Sequence, residues 1–298
     1  MSYRSVRYDN ISLLPEEAVI LRHKLVDYAL KNGGFIAGGF ARQVFTKQSV
    51  LNYIENSKGD VDIFFPDVDS YERTRLFAEE YVTSCAAAMR SDRLHKPFRQ
   101  IHKSLSGLCT DVQVPVGELF LHRKFTHMKI QLVNIFHGEV EDVLNTFDIE
   151  NCKVAITKDR IVYSNKIPEL ELLNTMLVTH GNSPLLANRI LKYKFGRNLA
   201  RFHPESSSVM RDWLINWRAN KWDNHPLAPR FAQSSLLFTD HVRSLLKYPT
   251  LVSDDQLTLV FGKLTYRKNK GSRYHPWYEE FDAGIEELKR RNGKRKQM

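Results

Sequence analysis

The chain has 298 residues, of which 42% are apolar, 26% charged and 11% aromatic. That is the composition of a folded globular protein, and it excludes a disordered or low-complexity chain. The length is enough for two ordinary domains, and the formal charge of +10 at pH 7 points to polyanionic partners. No stretch approaches the roughly 20 apolar residues of a membrane span. The first residues, Met1-Ser-Tyr-Arg-Ser-Val-Arg-Tyr, lack the apolar run of a secretion signal, so a cytoplasmic protein is expected, in the host cytoplasm if it is viral. Three cysteines, Cys85, Cys109 and Cys152, show no CxxC spacing; they read as buried free thiols and not as a zinc or disulfide framework.

Taken in chain order, residues 15–32 predict one helix, with Pro15 in the first turn, Glu16 and Glu17 at the positive end of the dipole, and Asn32-Gly33-Gly34 as the stop. Phe35-Ile-Ala reads as a short buried strand. The turn Gly38-Gly39, a helix over 40–45 and a second helical piece over 50–56 follow. Asp60-Val-Asp-Ile-Phe-Phe alternates acid and apolar residues, the period of a strand with one face in the core, so Asp60 and Asp62 share the other face. Pro66 ends that strand, leaving Asp67 and Asp69 as solvated loop carboxylates. A helix over 70–89, a strand pair over 108–115 and 128–135, a helix over 140–147 and a strand over 152–157 complete an α/β domain.

From residue 170 the pattern turns helical, with segments over 170–177, 184–202 and 206–217, a loop over 220–229, and further helices over 231–247 and 256–264. The expected organisation is a domain of residues 1–165 and a helical domain of residues 166–298 with a basic tail. From Lys263 onward the tail carries eleven Lys and Arg against five Asp and Glu, a net charge of +6. Trp213, Trp217, Trp222, Tyr274, Trp277 and Tyr278 flank cationic residues; such rings either stack on bases or pack a small helical domain. The eleven histidines show no metal-helix spacing.

The chemistry is concentrated in two devices. Two carboxylates on alternate residues of one strand can hold one divalent ion, and hard oxygen ligands favour Mg²⁺ or Mn²⁺. A glycine pair between strand and helix lets the backbone approach a phosphate while helix N–H groups point at it. Their order, Phe35-Ile-Ala-Gly-Gly-Phe-Ala-Arg followed by Gly59-Asp-Val-Asp-Ile-Phe-Phe, resembles the polymerase-β nucleotidyltransferase superfamily over roughly residues 35–157. The Gly-Gly-x-x-Arg arrangement with Arg42 is most similar to the CCA-adding and poly(A)-polymerase branch. The resemblance implies an α/β (α+β) nucleotidyltransferase fold with a mixed sheet, followed by a mainly helical C-terminal region.

The same resemblance implies metal ligation by Asp60 and Asp62, nucleotide binding by Gly38, Gly39 and Arg42, and a third carboxylate on a neighbouring strand. Gln131 stands where an acid is expected, which leaves Asp148, ranked first, and Asp111. Arg189, Lys192 and Tyr193 resemble the Arg-x-x-Lys-Tyr helix of phage- and virus-type nucleotidyltransferases, implying a grip on a triphosphate or primer backbone; a solvated helix face is the competing reading. The implied partners are a nucleoside triphosphate and a hydroxyl acceptor, with RNA or DNA among the candidates. The alternatives are a catalytically silent nucleotide- or nucleic-acid-binding protein of the same fold, and a virion or replication-associated protein that binds through its tail.

Overall fold

The computed structural model describes residues 2–8, 12–55, 59–90, 101–103, 109–115, 127–181, 186, 189, 190, 193, 199 and 201–218. The expected loop over 220–229, the helices over 231–247 and 256–264, and the basic tail lie outside the described residues. The chain divides into two compact units, one of residues 1–146 and 152–165, the other of residues 147–151 and 166–298.

The first unit is built on a mixed sheet. Its strands are β1 (Tyr3–Arg7), β2 (Phe35–Ala37), β3 (Val61–Phe64), β4 (Ile101–Lys103), β5 (Cys109–Pro115), β6 (His127–Val133), β7 (Val154–Ile156) and β8 (Arg160–Ser164), in the spatial order β1-β8-β7-β2-β3-β6-β5-β4. Among these, β3 and β6 pair in parallel and every other neighbouring pair is antiparallel. The three strands β3, β6 and β5 alternate cleanly. Val61, Ile63, Ile130, Leu132, Thr110 and Val112 are buried, whereas the intervening Asp62, Lys129, Gln131 and Asp111 are only half-buried.

The buried face packs under the helices α2 (Lys24–Lys31) and α5 (Val68–Arg90). Tyr71 of α5 shares a 2.9 Å hydrogen bond with Thr110 of β5, and its ring meets Phe65 edge-on at 5.6 Å. Tyr28 of α2 stacks on Phe77 of α5 at 3.9 Å. Burial pushes the Tyr71 hydroxyl above the usual phenol range, which keeps this sealed hydrogen bond neutral. Four smaller helices, α1 (Pro15–Leu21), α3 (Gly39–Thr46), α4 (Val50–Glu55) and α6 (Val140–Asn145), complete the unit.

The single helix expected over 15–32 is two helices, α1 (Pro15–Leu21) and α2. The break falls at His23, whose Nδ1 accepts the Leu25 N–H at 3.3 Å and so offers the backbone a helix start where a continued helix would run through. Glu17 in α1 is fully buried; its carboxylate accepts the Leu14 N–H at 2.8 Å and lies 3.6 Å from the Lys47 ammonium, yet burial dominates and raises its pKa. The expected thiol burial holds for Cys152, while Cys85 and Cys109 are half-buried; none of the three forms a disulfide.

In the second unit the expected helix over 170–177 is instead α7 (Ile167–Leu172) followed by β9 (Thr175–Met176). Asn174, with φ +51°, makes the turn between them, and β9 pairs in parallel with β10 (Arg201–Phe202). The expected helix over 184–202 therefore ends before 201. Leu186, Arg189, Ile190 and Tyr193 are helical, with the three apolar residues buried on one face. The helix expected over 206–217 is Ser206–Arg218, and Trp213 in it is fully buried, so this ring packs the core and cannot stack on a base. No helix among the described residues is long and apolar enough to cross a membrane.

Asp67 is the exposed loop acid expected ahead of α5, whereas Asp69 lies in the first turn of that helix and not in a loop. Asp67 Oδ1 accepts the Ser70 N–H at 2.6 Å at the start of α5, and that hydrogen bond holds its carboxyl below the usual range. A lowered folded-state pKa contributes stability above the unfolded pKa, and that contribution is lost as pH falls through the folded value. Asp67→Ala is expected to lower the melting temperature at pH 7, with the gap to wild type closing as pH falls below the carboxylate range; thermal melts across pH 7 to 2 measure this.

Candidate nucleotide and metal site

The glycine turn and the acidic pair are adjacent because β2 and β3 run antiparallel. Ile36 lies opposite Ile63, so the C-terminal end of β2 runs beside the N-terminal end of β3. Gly38 follows β2 with φ +85° and ψ −138°, a conformation that side-chain-bearing residues rarely adopt, and it caps α3 (Gly39–Thr46). Its N–H donates to the Val154 carbonyl of β7 at 3.2 Å, and its carbonyl accepts the Arg42 N–H at 2.9 Å. The turn is thus fixed from the sheet on one side and the helix on the other. Gly39 is the first residue of that helix, so the leading N–H groups of α3 are the unsatisfied donors of a helix start.

Arg42, within α3 itself, is fully buried and does not offer an exposed guanidinium.

Asp62 of β3 lies directly opposite Gln131 of β6, and Gln131 lies directly opposite Asp111 of β5. Residues in register on paired strands point to the same side, so these three side chains form a row on the half-buried face. The Gln131 amide donates to Asp111 Oδ1 at 2.6 Å. Lys129, two residues before Gln131 and on the same face, places Nζ 3.2 Å from Asp111 Oδ2 and 3.7 Å from Asp60 Oδ2. Asp60, Asp62, Gln131, Asp111 and Lys129 are therefore one polar cluster. Lys129 was not singled out by sequence reasoning, although its two-residue offset from Gln131 on a period-2 strand was the available signal.

A second residue missed from the sequence is Tyr53. Its hydroxyl donates to the Asp60 carbonyl at 3.2 Å, its carbonyl accepts the Gly59 N–H at 3.0 Å, and its ring lies against Gly59. A Cβ on Gly59 would come within 2.2 Å of that ring and 2.6 Å of the Tyr53 carbonyl oxygen. The glycine ahead of the acidic pair is thus a packing requirement that sets where Asp60 begins.

The remaining expected residues belong to the second unit. Asp148 is almost fully buried, and its carboxylate is ion-paired with Arg189, which is partly exposed. Its main chain is held too, since its carbonyl accepts the Thr179 N–H at 2.8 Å. Asp148 is not on the strands that carry Asp60 and Asp62; the acid on that sheet is Asp111. The Arg189 charge is already compensated internally, and Tyr193 is buried. Lys192 lies outside the described residues.

Apart from the Lys129 ammonium and the Gln131 amide N–H, the polar cluster presents oxygen acceptors, the ligand chemistry of a hard divalent ion. Among the described residues no group of three or more His, Cys, Asp and Glu side chains is arranged to hold a metal. Asp60 and Asp62 would offer two carboxylates to such an ion, and the described residues form no three-carboxylate cage.

Fold and cluster define a mixed α/β protein whose central strands bring a helix-capping glycine turn beside paired carboxylates. The sequence model of the Gabija anti-defense 2 family matches residues 16–169, and the chain belongs to that family. No curated protein matches the chain. Similar solved structures include a tRNA-processing enzyme in apo form I, at 14% identity and a TM-score of 0.46, over 89% of this chain and 61% of that one. A CCA-adding enzyme in apo form I matches at 10% identity and a TM-score of 0.47, over 97% of this chain and 55% of that one. A Thermotoga maritima CCA-adding enzyme complexed with tRNA matches at 10% identity and a TM-score of 0.38, over 97% of this chain and 85% of that one. The chain thus spans less than two thirds of the first two.

Gly59→Ala is expected to destabilise the first unit by about 1–3 kcal/mol through overpacking against Tyr53. Denaturant melts of wild type and variant measure the effect.

Proposed function

We propose that this protein is a metal-dependent nucleotidyltransferase that moves a nucleoside monophosphate from a nucleoside triphosphate to a hydroxyl acceptor. The observation that carries the reading is the antiparallel β2–β3 pair, which sets the Gly38-Gly39 turn beside Asp60 and Asp62. In this reading the first N–H groups of α3 receive the triphosphate, and Asp60 and Asp62 hold the Mg²⁺ or Mn²⁺ that accompanies it. Bound there, the ion would neutralise phosphate charge and polarise the reacting phosphoryl group.

The acceptor oxygen attacks the α-phosphorus, a new P–O bond forms, and the bond to the bridging oxygen breaks with release of pyrophosphate. The acceptor proton needs a base. Asp111 takes that role here in place of Asp148, because Asp111 stands on the same sheet face as Asp62, one strand beyond Gln131, while Asp148 is committed to Arg189. Gln131 and Lys129 orient the Asp111 carboxylate. The family name connects the activity to countering the defence called Gabija. RNA, DNA, a protein and a small molecule all remain acceptors to be tried.

The test is incubation of the purified full chain with each labelled nucleoside triphosphate, Mg²⁺ or Mn²⁺, and pooled RNA, DNA and protein acceptors. Label transfer by wild type is expected, with loss of at least about a hundredfold in Asp60→Ala and Asp62→Ala while circular dichroism stays unchanged. Asp111→Asn should lose turnover and Asp148→Asn should retain it. Equal turnover in wild type and both strand-acid variants, or no transfer under any condition, would overturn the reading.

A further inference from the structure

The row Asp62, Gln131, Asp111 has a neutral amide in its middle, and a lysine ammonium sits among the acids instead. A pair of divalent ions about 3.5–4 Å apart needs carboxylates that bridge them or face both. Here the acid nearest the Asp60–Asp62 pair across the sheet is displaced by one strand. The space between Asp60 and Asp111 is taken by Lys129 Nζ, 3.7 Å from one and 3.2 Å from the other. Three carboxylates and one ammonium carry a net formal charge of −2, so Lys129 already offsets one of the three acids before any cation is bound.

We propose that Lys129 supplies, from within the chain, the second positive charge of this site, so that the site takes a single divalent ion. The inference rests on the site read above as a metal-nucleotide site. An ammonium is compact, strongly hydrated and carries three donors, so it can bridge two carboxylates and still face a phosphate oxygen. It cannot ionise a bound hydroxyl as a divalent ion does, which places the proton transfer on Asp111 and makes Lys129 a positioning residue that keeps Asp111 turned toward Asp60. Gln131 contributes by donating to Asp111 without adding charge.

The experiment is electron paramagnetic resonance of Mn²⁺ bound to the full-length protein with a non-hydrolysable nucleoside triphosphate analogue, the protein in excess. Wild type is expected to show the six-line spectrum of isolated Mn²⁺ at one ion per chain. Lys129→Met, which removes the charge and keeps much of the bulk, should admit a second ion and give the broadened spectrum of a coupled pair. Lys129→Arg should keep the wild-type pattern. A coupled pair in wild type, one isolated ion in Lys129→Met with unchanged affinity, or no bound Mn²⁺ in wild type would each overturn the proposal. The wild-type spectrum decides alone if Lys129→Met fails to fold. One isolated ion without nucleotidyl transfer would leave this inference standing and remove the enzymatic reading; transfer with a coupled pair would do the reverse.

Discussion

Side-chain alternation on three adjacent strands governs both halves of the first unit at once. Because β3, β6 and β5 are paired in register, every step that buries Val61, Ile63, Ile130, Leu132, Thr110 or Val112 turns an acid, amide or lysine to the opposite side. A slip of one residue on β3 would turn a carboxylate into the core and an isoleucine among the acids, and a slip on β6 or β5 would likewise exchange their polar and apolar faces. The apolar core therefore enforces the register of the polar cluster, and no separate device is needed to assemble it.

The glycine turn follows the same logic from the other flank. Gly38 is held between the β7 carbonyl and the first turn of α3, and Gly59 is held beneath Tyr53. At one and the same end of the antiparallel β2–β3 pair, β2 thus stops at a glycine of positive φ and β3 is preceded by a glycine whose neighbours exclude a side chain. The geometry is pre-set by packing, which favours a site that changes little when it is filled.

Much of this first unit was legible in the sequence, because its signals are local. Phe35-Ile-Ala before Gly38-Gly39, the alternation of residues 60–64, and the two period-2 runs that became β5 and β6 each announce themselves within a few residues. What was not legible depends on distant partners. Tyr3–Arg7 carries no strong strand pattern and is a strand because β8 offers it an edge, with Tyr3 opposite Ser164. Asp148 looked suitable by its place in sequence, and nothing local reveals that its carboxylate goes to Arg189. The break at His23 turned on one ring nitrogen, and Trp213 is an aromatic whose burial depends on a helix face set by the fold. Lys129 was legible in principle; a lysine on an acid-bearing face is easily taken for an ordinary solvated charge.

The parallel pairing of β3 with β6 has a consequence for how the molecule comes into being. Asp62 and Gln131 are 69 positions apart, and Tyr3 and Ser164 are 161 apart. Chain closure over such spans is slow compared with hairpin formation. On the ribosome, the acidic row cannot exist until β6 has emerged, and the first strand waits until Ser164, a little over half-way along the 298 residues, has been synthesised before it finds its neighbour. Until then the β8 edge has no strand beside it, so the earliest residues of the chain act as the last latch of the sheet.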